Sequence, residues 1–312
     1  MKKGHALVTG AAGFIGARLV TRLLEMNRNV VAIDCFLPDL YSSEVKIARW
    51  NNLTSPNLKK VFFDLRRDDF AILQEIEIDS IFNLAAMPGL ISDWSRFTSY
   101  YDCNISALNR LLEFAKSKEI KSFVQASTSS VYGREAVGIE DQDLNPISPY
   151  GVSKLAAEKL LLAYQSCYEI PVKILRYFSV YGPSQRPDMA YAKIIRALVN
   201  ELPFEIHGDG LQRRSNTYID DVVDATILSE SLAEPRSIMN ICGDETISLN
   251  DAIDILEGLS GKKLKKTFVG NRRGDQRETS GSNIRAQQAL NWKCKTNIEE
   301  GLQNQLREVT QP

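Results

Sequence analysis

Through the first half of the chain, short apolar runs bounded by turn residues alternate with stretches of helical period. Residues 6–9 read as a buried strand, 14–26 as a helix with Ile15, Leu19 and Leu23 on one face, and 29–33 as a second strand. Further apolar runs at 60–63, 80–84, 122–127 and 172–176 predict strands, with helices over about 104–118 and 150–168. Strands that alternate with helices predict parallel pairing, right-handed crossovers and an α/β, doubly wound parallel sheet that holds ligands at the carboxyl ends of its strands. Beyond residue 176 the pattern loosens into turns and helices near 188–201, 220–233, 248–260 and 297–308. This divides the chain into a first domain over 1–177, joined by part of 217–241, and a smaller C-terminal lobe over 178–312. The helix at 150–168 is apolar nearly all round (Val152, Leu155, Ala156, Leu160, Leu161, Leu162). That predicts cover on more than one face, and hence a homodimer formed with the 104–118 helix.

Composition narrows the function classes. Over 312 residues, 44% are hydrophobic and 25% charged, and 38 Lys+Arg against 39 Asp+Glu leave a net charge of −1. Such a balance suits no nucleic-acid binder, and the basic run Lys262, Lys263, Lys265, Lys266 reads as a solvated face. No apolar run approaches the ~18 residues of a membrane span, and the first residues lack a secretory pattern. Five scattered cysteines without a C-x-x-C pair indicate reduced thiols and a cytoplasmic protein rather than a disulfide framework or zinc site. With only His5 and His207, neither a histidine metal site nor a Ser-His-Asp hydrolase is expected, so no metal is assigned.

The candidate chemistry begins where the first strand meets the first helix. Gly10-Ala11-Ala12-Gly13-Phe14-Ile15-Gly16 has the spacing and context of a turn whose backbone N–H groups meet a pyrophosphate at a helix N-terminus. Asp34 closes the second strand eighteen positions after Gly16. A carboxylate there accepts from both ribose hydroxyls and repels a 2′-phosphate, so the cofactor is NAD rather than NADP. Tyr150-Gly151-Val152-Ser153-Lys154 sets a phenol and an ammonium on one helical face. The ammonium, with a positive nicotinamide ring, favours the phenolate and draws Tyr150 toward a usable base.

With G-x-x-G-x-x-G spacing, the chain resembles the short-chain dehydrogenase/reductase superfamily, a Rossmann fold, and its length and second lobe resemble the extended, nucleotide-sugar-modifying branch. The resemblance implies that Asp64 and Leu65 contact adenine. It also implies that Leu84, Ala85, Ala86 and Tyr177 line the cofactor, and that Thr128, Tyr150 and Lys154 form the catalytic triad. Dehydratases of the family carry Asp-Glu after the catalytic threonine, whereas this chain has Ser129 and Ser130, poor bases for drawing a proton from carbon. Epimerisation needs no such pair. Tyr150 would take the C4 hydroxyl proton as hydride passes to NAD, and the 4-keto sugar would turn over before the hydride returns. Gln185-Arg186-Pro187-Asp188-Met189 is similar to the segment of UDP-glucuronate 4-epimerases in which the arginine faces the C6 carboxylate. Ser129, Ser130 and Ser179 would add hydroxyls. Arg214 and Arg272 match arginines that grip the diphosphate of the UDP-sugar, and His207 stands where an aromatic ring often meets the uracil. Two departures are Ile91, where many uronate epimerases carry arginine, and Met87-Pro88-Gly89. UDP-glucose/galactose or a UDP-N-acetylhexosamine therefore remains the alternative substrate, and a non-catalytic NAD sensor the alternative of another class.

Overall fold

The computed structural model describes residues 4–38, 40–89, 94–270 and 276–311. Its first half runs β1 (His5–Thr9), α1 (Phe14–Glu25), β2 (Val30–Asp34), α2 (Ser43–Asn52), β3 (Leu58–Phe62), β4 (Ile78–Asn83), α3 (Phe97–Tyr101), α4 (Ala107–Lys116), β5 (Ser122–Thr128), β6 (Ala136–Gly138), α5 (Pro149–Tyr168) and β7 (Val172–Tyr177). There follow β8 (Ser179–Tyr181), α6 (Ala190–Val199), β9 (Pro203–His207), β10 (Arg213–Tyr218), α7 (Ile219–Glu230), β11 (Arg236–Ile241), β12 (Thr246–Ser248), α8 (Leu249–Ser260), β13 (Lys265–Val269), β14 (Glu278–Gly281), α9 (Ile284–Leu290) and α10 (Ile298–Thr310).

Seven strands form the main sheet in the order β11-β7-β5-β4-β1-β2-β3, every neighbour parallel. The chain steps outward to one side from β1 and to the other from β4. The crevice between β1 and β4 is therefore the point where strand order reverses, which is where a doubly wound sheet opens a binding site. Inner strands are apolar on both faces because both faces are covered. Ala6 and Val8 of β1 join the core shared with Leu19, Val20, Val222 and Val223 of α1 and α7. Leu7 joins the opposite core, with Leu108, Leu111 and Leu112 of α4 and Leu161 of α5. At the β3 edge this constraint lapses, and Lys59, Lys60 and Phe62 are exposed.

A second sheet runs β12-β10-β14-β6, with β8 also pairing β10, and β13 and β9 form a separate parallel pair. The strand expected at 29–33 begins one residue later, and that expected at 60–63 begins at Leu58. The helix expected over 104–118 opens with a π-helical turn, Asp102–Ser106, before α4. Helix α5 is not buried all round: its buried face carries Ser153, Lys154, Ala157, Glu158 and Leu161, while Val152, Leu155, Ala156 and Leu160 are only half-buried in the single chain. No helix among the described residues is long and apolar enough to cross a membrane. The basic run is matched by acids: Lys263 and Lys266 both meet Glu257, at 2.6 and 3.3 Å.

Candidate active site

A cavity of about 980 Å³ opens at the carboxyl ends of β1, β2, β4, β5 and β7. At its floor, Gly10 takes φ +65°, and a Cβ there would lie 2.8 Å from the Ala85 backbone nitrogen. A Cβ on Gly16 would collide with the Gly10 carbonyl oxygen. Helix α1 starts from Gly13, with neither a side-chain cap nor an acidic residue in its first turn. Its leading N–H groups are thus presented to an anion, with the positive end of the helix dipole behind them.

Asp34 ends β2, accepting from the Ala12 and Phe36 backbone N–H groups at 2.9 and 2.8 Å, which orients its carboxylate at the cavity wall. Asp64 is buried and gripped by Arg66 through bonds of 2.8 and 2.7 Å, and that guanidinium holds its carboxyl below the usual range. Next to the glycine turn, Thr9 donates to Asn83 at 2.6 Å and accepts from the Ala85 N–H at 3.0 Å, and Asn83 donates to Gln125 at 2.8 Å. These bonds tie the ends of β1, β4 and β5 together beneath Leu84, Ala85 and Ala86. The residues present fit a dinucleotide: a backbone cradle that a methyl group would fill, and a fixed carboxylate one strand away.

The reactive groups come from β5 and α5. Ser148 caps α5 by accepting from the Gly151 N–H at 3.1 Å, and Pro149 stands in its first turn, so the helix begins immediately before Tyr150. Tyr150, Lys154 and Glu158 then share one face. Two of them bond consecutive β5 residues, the Ala126 carbonyl accepting from Lys154 Nζ at 2.6 Å and Ser127 donating to Glu158 at 2.5 Å, while the hydroxyl of the next residue, Thr128, favours the Tyr150 phenolate. Arg176 of β7, in register with Ser127, forks onto Glu158 at 3.1 and 2.8 Å. Burial pushes the Tyr150 phenol above its ordinary value, against the Thr128 hydroxyl and the nearby Arg186 charge. Burial also pulls Lys154 down to about 8, opposed by Glu158. The phenol lowering expected from the lysine is not found: Thr128 and Arg186, not Lys154, act to lower it, and desolvation outweighs both.

Of the residues expected from sequence, Gly10, Gly13, Phe14, Ile15, Gly16, Asp34, Asp64, Leu65, Leu84–Ala86, Thr128, Ser129, Ser130, Tyr150, Lys154, Tyr177, Ser179, Arg186 and Arg214 line this one cavity. His207 is not brought in with them: it ends β9, a ring nitrogen 3.3 Å from the Gly270 carbonyl oxygen. Arg272 and Ile91 lie outside the described residues. Arg186 forks onto Asp188 at 3.0 and 2.6 Å, and both line the cavity. Sequence reading passed over Tyr41, Lys46, Arg66, Lys193 and Gln276, which also line it. It missed Asn104 as well, which the π-helical turn aims at Met87, accepting from its N–H at 2.7 Å, and at Ser153, 2.9 Å away. None of these sits in a local motif; only the fold brings them to the wall. Among the described residues no group of His, Cys, Asp or Glu could hold a metal ion.

Residues 6–242 match the model of the NAD dependent epimerase/dehydratase family. An uncharacterized UDP-glucose epimerase of Bacillus subtilis, YtcB, is 40% identical over 307 residues, covering 96% of each chain. A UDP-glucuronate 4-epimerase of Thermodesulfobacterium geofontis is 38% identical, covering 96% of this chain and 94% of its own. Among solved structures, the UDP-glucuronic acid 4-epimerase of Bacillus cereus in complex with UDP-glucuronic acid and NAD superposes with a TM-score of 0.94, at 36% identity, over 98% of this chain and 99% of that one. The chain belongs to the NAD-dependent epimerase/dehydratase family, on the extended short-chain dehydrogenase/reductase fold.

Proposed function

We propose that this enzyme interconverts UDP-glucuronate and UDP-galacturonate by inversion at C4. The observation that carries the reading is the meeting of Thr128, Tyr150 and Lys154 in one cavity with Arg186 and the hydroxyls of Ser129, Ser130 and Ser179. Gly10, Gly13, Gly16 and Asp34 would hold NAD, which, when bound, accepts and returns the C4 hydride. Thr128 orients the sugar hydroxyl, and Tyr150 takes its proton and gives one back, so the net chemistry is neutral. Lys154, anchored on the Ala126 carbonyl, keeps a positive charge beside that exchange. Ser129 and Ser130 offer no group suited to elimination. Arg186 would meet the C6 carboxylate with a charge-assisted bond and keep the β-keto acid from shedding CO₂ while the ring turns over. Arg214, with Arg272, would hold the diphosphate.

A second reading, a neutral UDP-hexose, is favoured by one observation: Asp188 already forks onto Arg186, offsetting the charge a uronate would use. The division into a cofactor domain (1–177 with part of 217–241) and a sugar-nucleotide lobe is part of the proposal. So is a homodimer through α4 and α5, supported by the half-buried Val152, Ala156 and Leu160 and by exposed Tyr101 and Tyr168. A cytoplasmic location agrees with five free cysteines.

The test is proton NMR of NAD-loaded protein with UDP-glucuronate. We expect UDP-galacturonate to build to equilibrium without net NADH or CO₂, and Tyr150→Phe to slow this at least ~100-fold while retaining NAD. Conversion of UDP-glucose but not of UDP-glucuronate would establish the second reading instead.

A further inference from the structure

We propose that the C-terminal helix α10, which contributes no residue to the cavity wall among those described, selects the sugar by positioning Arg186 through Gln305 and Glu308. This rests on the reading of Arg186 as the residue that meets the sugar's C6 substituent.

The loop from Gly182 to Asp188 has an unfavourable shape that other elements hold in place. Gly182 takes φ +135°, and a Cβ there would lie 2.7 Å from an Ile219 methyl carbon. Ser184 takes φ +62°, a left-handed conformation that crowds the Cβ of any residue but glycine. Both backbone departures are met by α10. The Gly182 N–H donates to Gln305 Oε1 at 3.1 Å. The Ser184 N–H and Oγ donate to the two Glu308 carboxylate oxygens at 2.5 and 2.7 Å. From the opposite side, Arg49 of α2 donates to the Ser184 carbonyl at 2.6 Å.

Gln185, immediately before Arg186, is locked by its side-chain amide. Its Nε2 donates to the Val180 carbonyl at 3.0 Å, and its Oε1 accepts from the Ala192 N–H at 3.0 Å and from Gln305 Nε2 at 2.9 Å. Gln185 and Gln305 are 9% and 2% exposed, unusual burial for glutamines; Gln305 spends both its oxygen and its nitrogen on this loop, and Gln185 spends both of its own tying the loop to β8, α6 and α10. An apolar pair would fill the same space without fixing a direction. The polar pair instead leaves the Gln185 backbone one orientation, and with it the point from which Arg186 reaches Asp188 and the cavity.

The experiment compares wild type, Arg186→Ala, Gln305→Met and Glu308→Ala as NAD-loaded proteins, measuring kcat and KM for UDP-glucuronate and UDP-glucose, Kd for UDP, and NAD retention. Gln305→Met is expected to lower kcat/KM for UDP-glucuronate about 10-fold, mainly through KM, and to change UDP-glucose less than about 2-fold. UDP binding and NAD retention should not move. Glu308, on the exposed side of α10, can be removed without disturbing the core, and Glu308→Ala should give a smaller loss of the same selective kind. If both α10 variants leave the uronate-to-glucose ratio at the wild-type value while Arg186→Ala lowers it, the role of α10 is overturned and Arg186 keeps its own. The same follows if they depress both substrates equally. If Arg186→Ala leaves the ratio unchanged, the reading of Arg186 falls and the role of α10 falls with it.

Discussion

Two turns of the cavity wall, 10–16 and 182–188, are held by different means. The first is held mainly by backbone and lack of space: the Gly13 N–H donates to the Gly10 carbonyl at 3.0 Å, those of Ala11 and Ala12 to Ile33 and the Asp34 carboxylate of the adjacent strand at 3.2 and 2.9 Å, and glycines stand where a side chain would collide. The second is held from outside, by Arg49, Gln305 and Glu308, across sequence gaps of more than a hundred residues. The difference teaches where change is tolerated. A turn with no spare volume fits one ligand shape, the pyrophosphate, and admits little variation. A loop braced by side chains can be retuned one brace at a time, as would suit the end of the cavity proposed to meet the sugar.

That contrast can be broken most sharply at the first turn. Gly16→Ala forces a methyl group into the Gly10 carbonyl, and overpacking of this kind costs about 1–3 kcal/mol. We expect the purified variant to have lost its NAD, as read by absorbance of the denatured supernatant, and to melt several degrees lower; NAD retention at the wild-type level would mean that the turn has slack. Next in size is a pH effect on stability. Lys154 titrates near 8 in the folded chain but at the ordinary lysine value when unfolded. Below pH 8 both states are charged, and the native state bears the full cost of burying the ammonium; as pH rises from about 8 toward that ordinary value, the native state sheds the proton first and the cost lifts. In the NAD-free protein, wild-type stability relative to Lys154→Met should therefore rise across that window by on the order of 1–3 kcal/mol in urea melts. A flat difference would mean that the amine is not desolvated. The smallest expected effect is at Asp34: Asp34→Asn should narrow the preference for NAD over NADP by roughly tenfold in cofactor titrations, since only the carboxylate's charge is removed. An unaltered preference would move that discrimination elsewhere in the cavity.

The same contrast explains what could be read from the sequence. The inner strands of the large sheet are buried on both faces, so β1, β4, β5 and β7 stand out as apolar runs. The strands of the second sheet, and the edge strand β11 of the large one, do not. β10 reads Arg213-Arg214-Ser215-Asn216-Thr217-Tyr218 and β11 carries Arg236, Ser237 and Asn240, and both are strands because of what they pair with. Helix α2, polar through Glu44, Lys46, Arg49 and its two terminal asparagines, showed no apolar period to read. At the site, Gly10–Gly16, Asp34 and the Tyr150–Lys154 pair were legible because local spacing alone defines them. Asn104 and Gln305 were not, because each acts on partners distant in the chain and has no motif of its own, nor were Tyr41 and Lys193, which only the fold brings to the cavity wall.

On the proposed function, the cavity epimerises an acidic UDP-sugar and Arg186 recognises its charge. The most direct measurement is the ratio of kcat/KM for UDP-glucuronate over UDP-glucose in wild type and in Arg186→Ala. A charge-assisted contact of ~1.5–3 kcal/mol predicts a wild-type ratio above one that falls roughly 10- to 100-fold on substitution, with NAD retained. A wild-type ratio below one, or one that the substitution leaves unchanged, would assign the cavity to a neutral UDP-hexose.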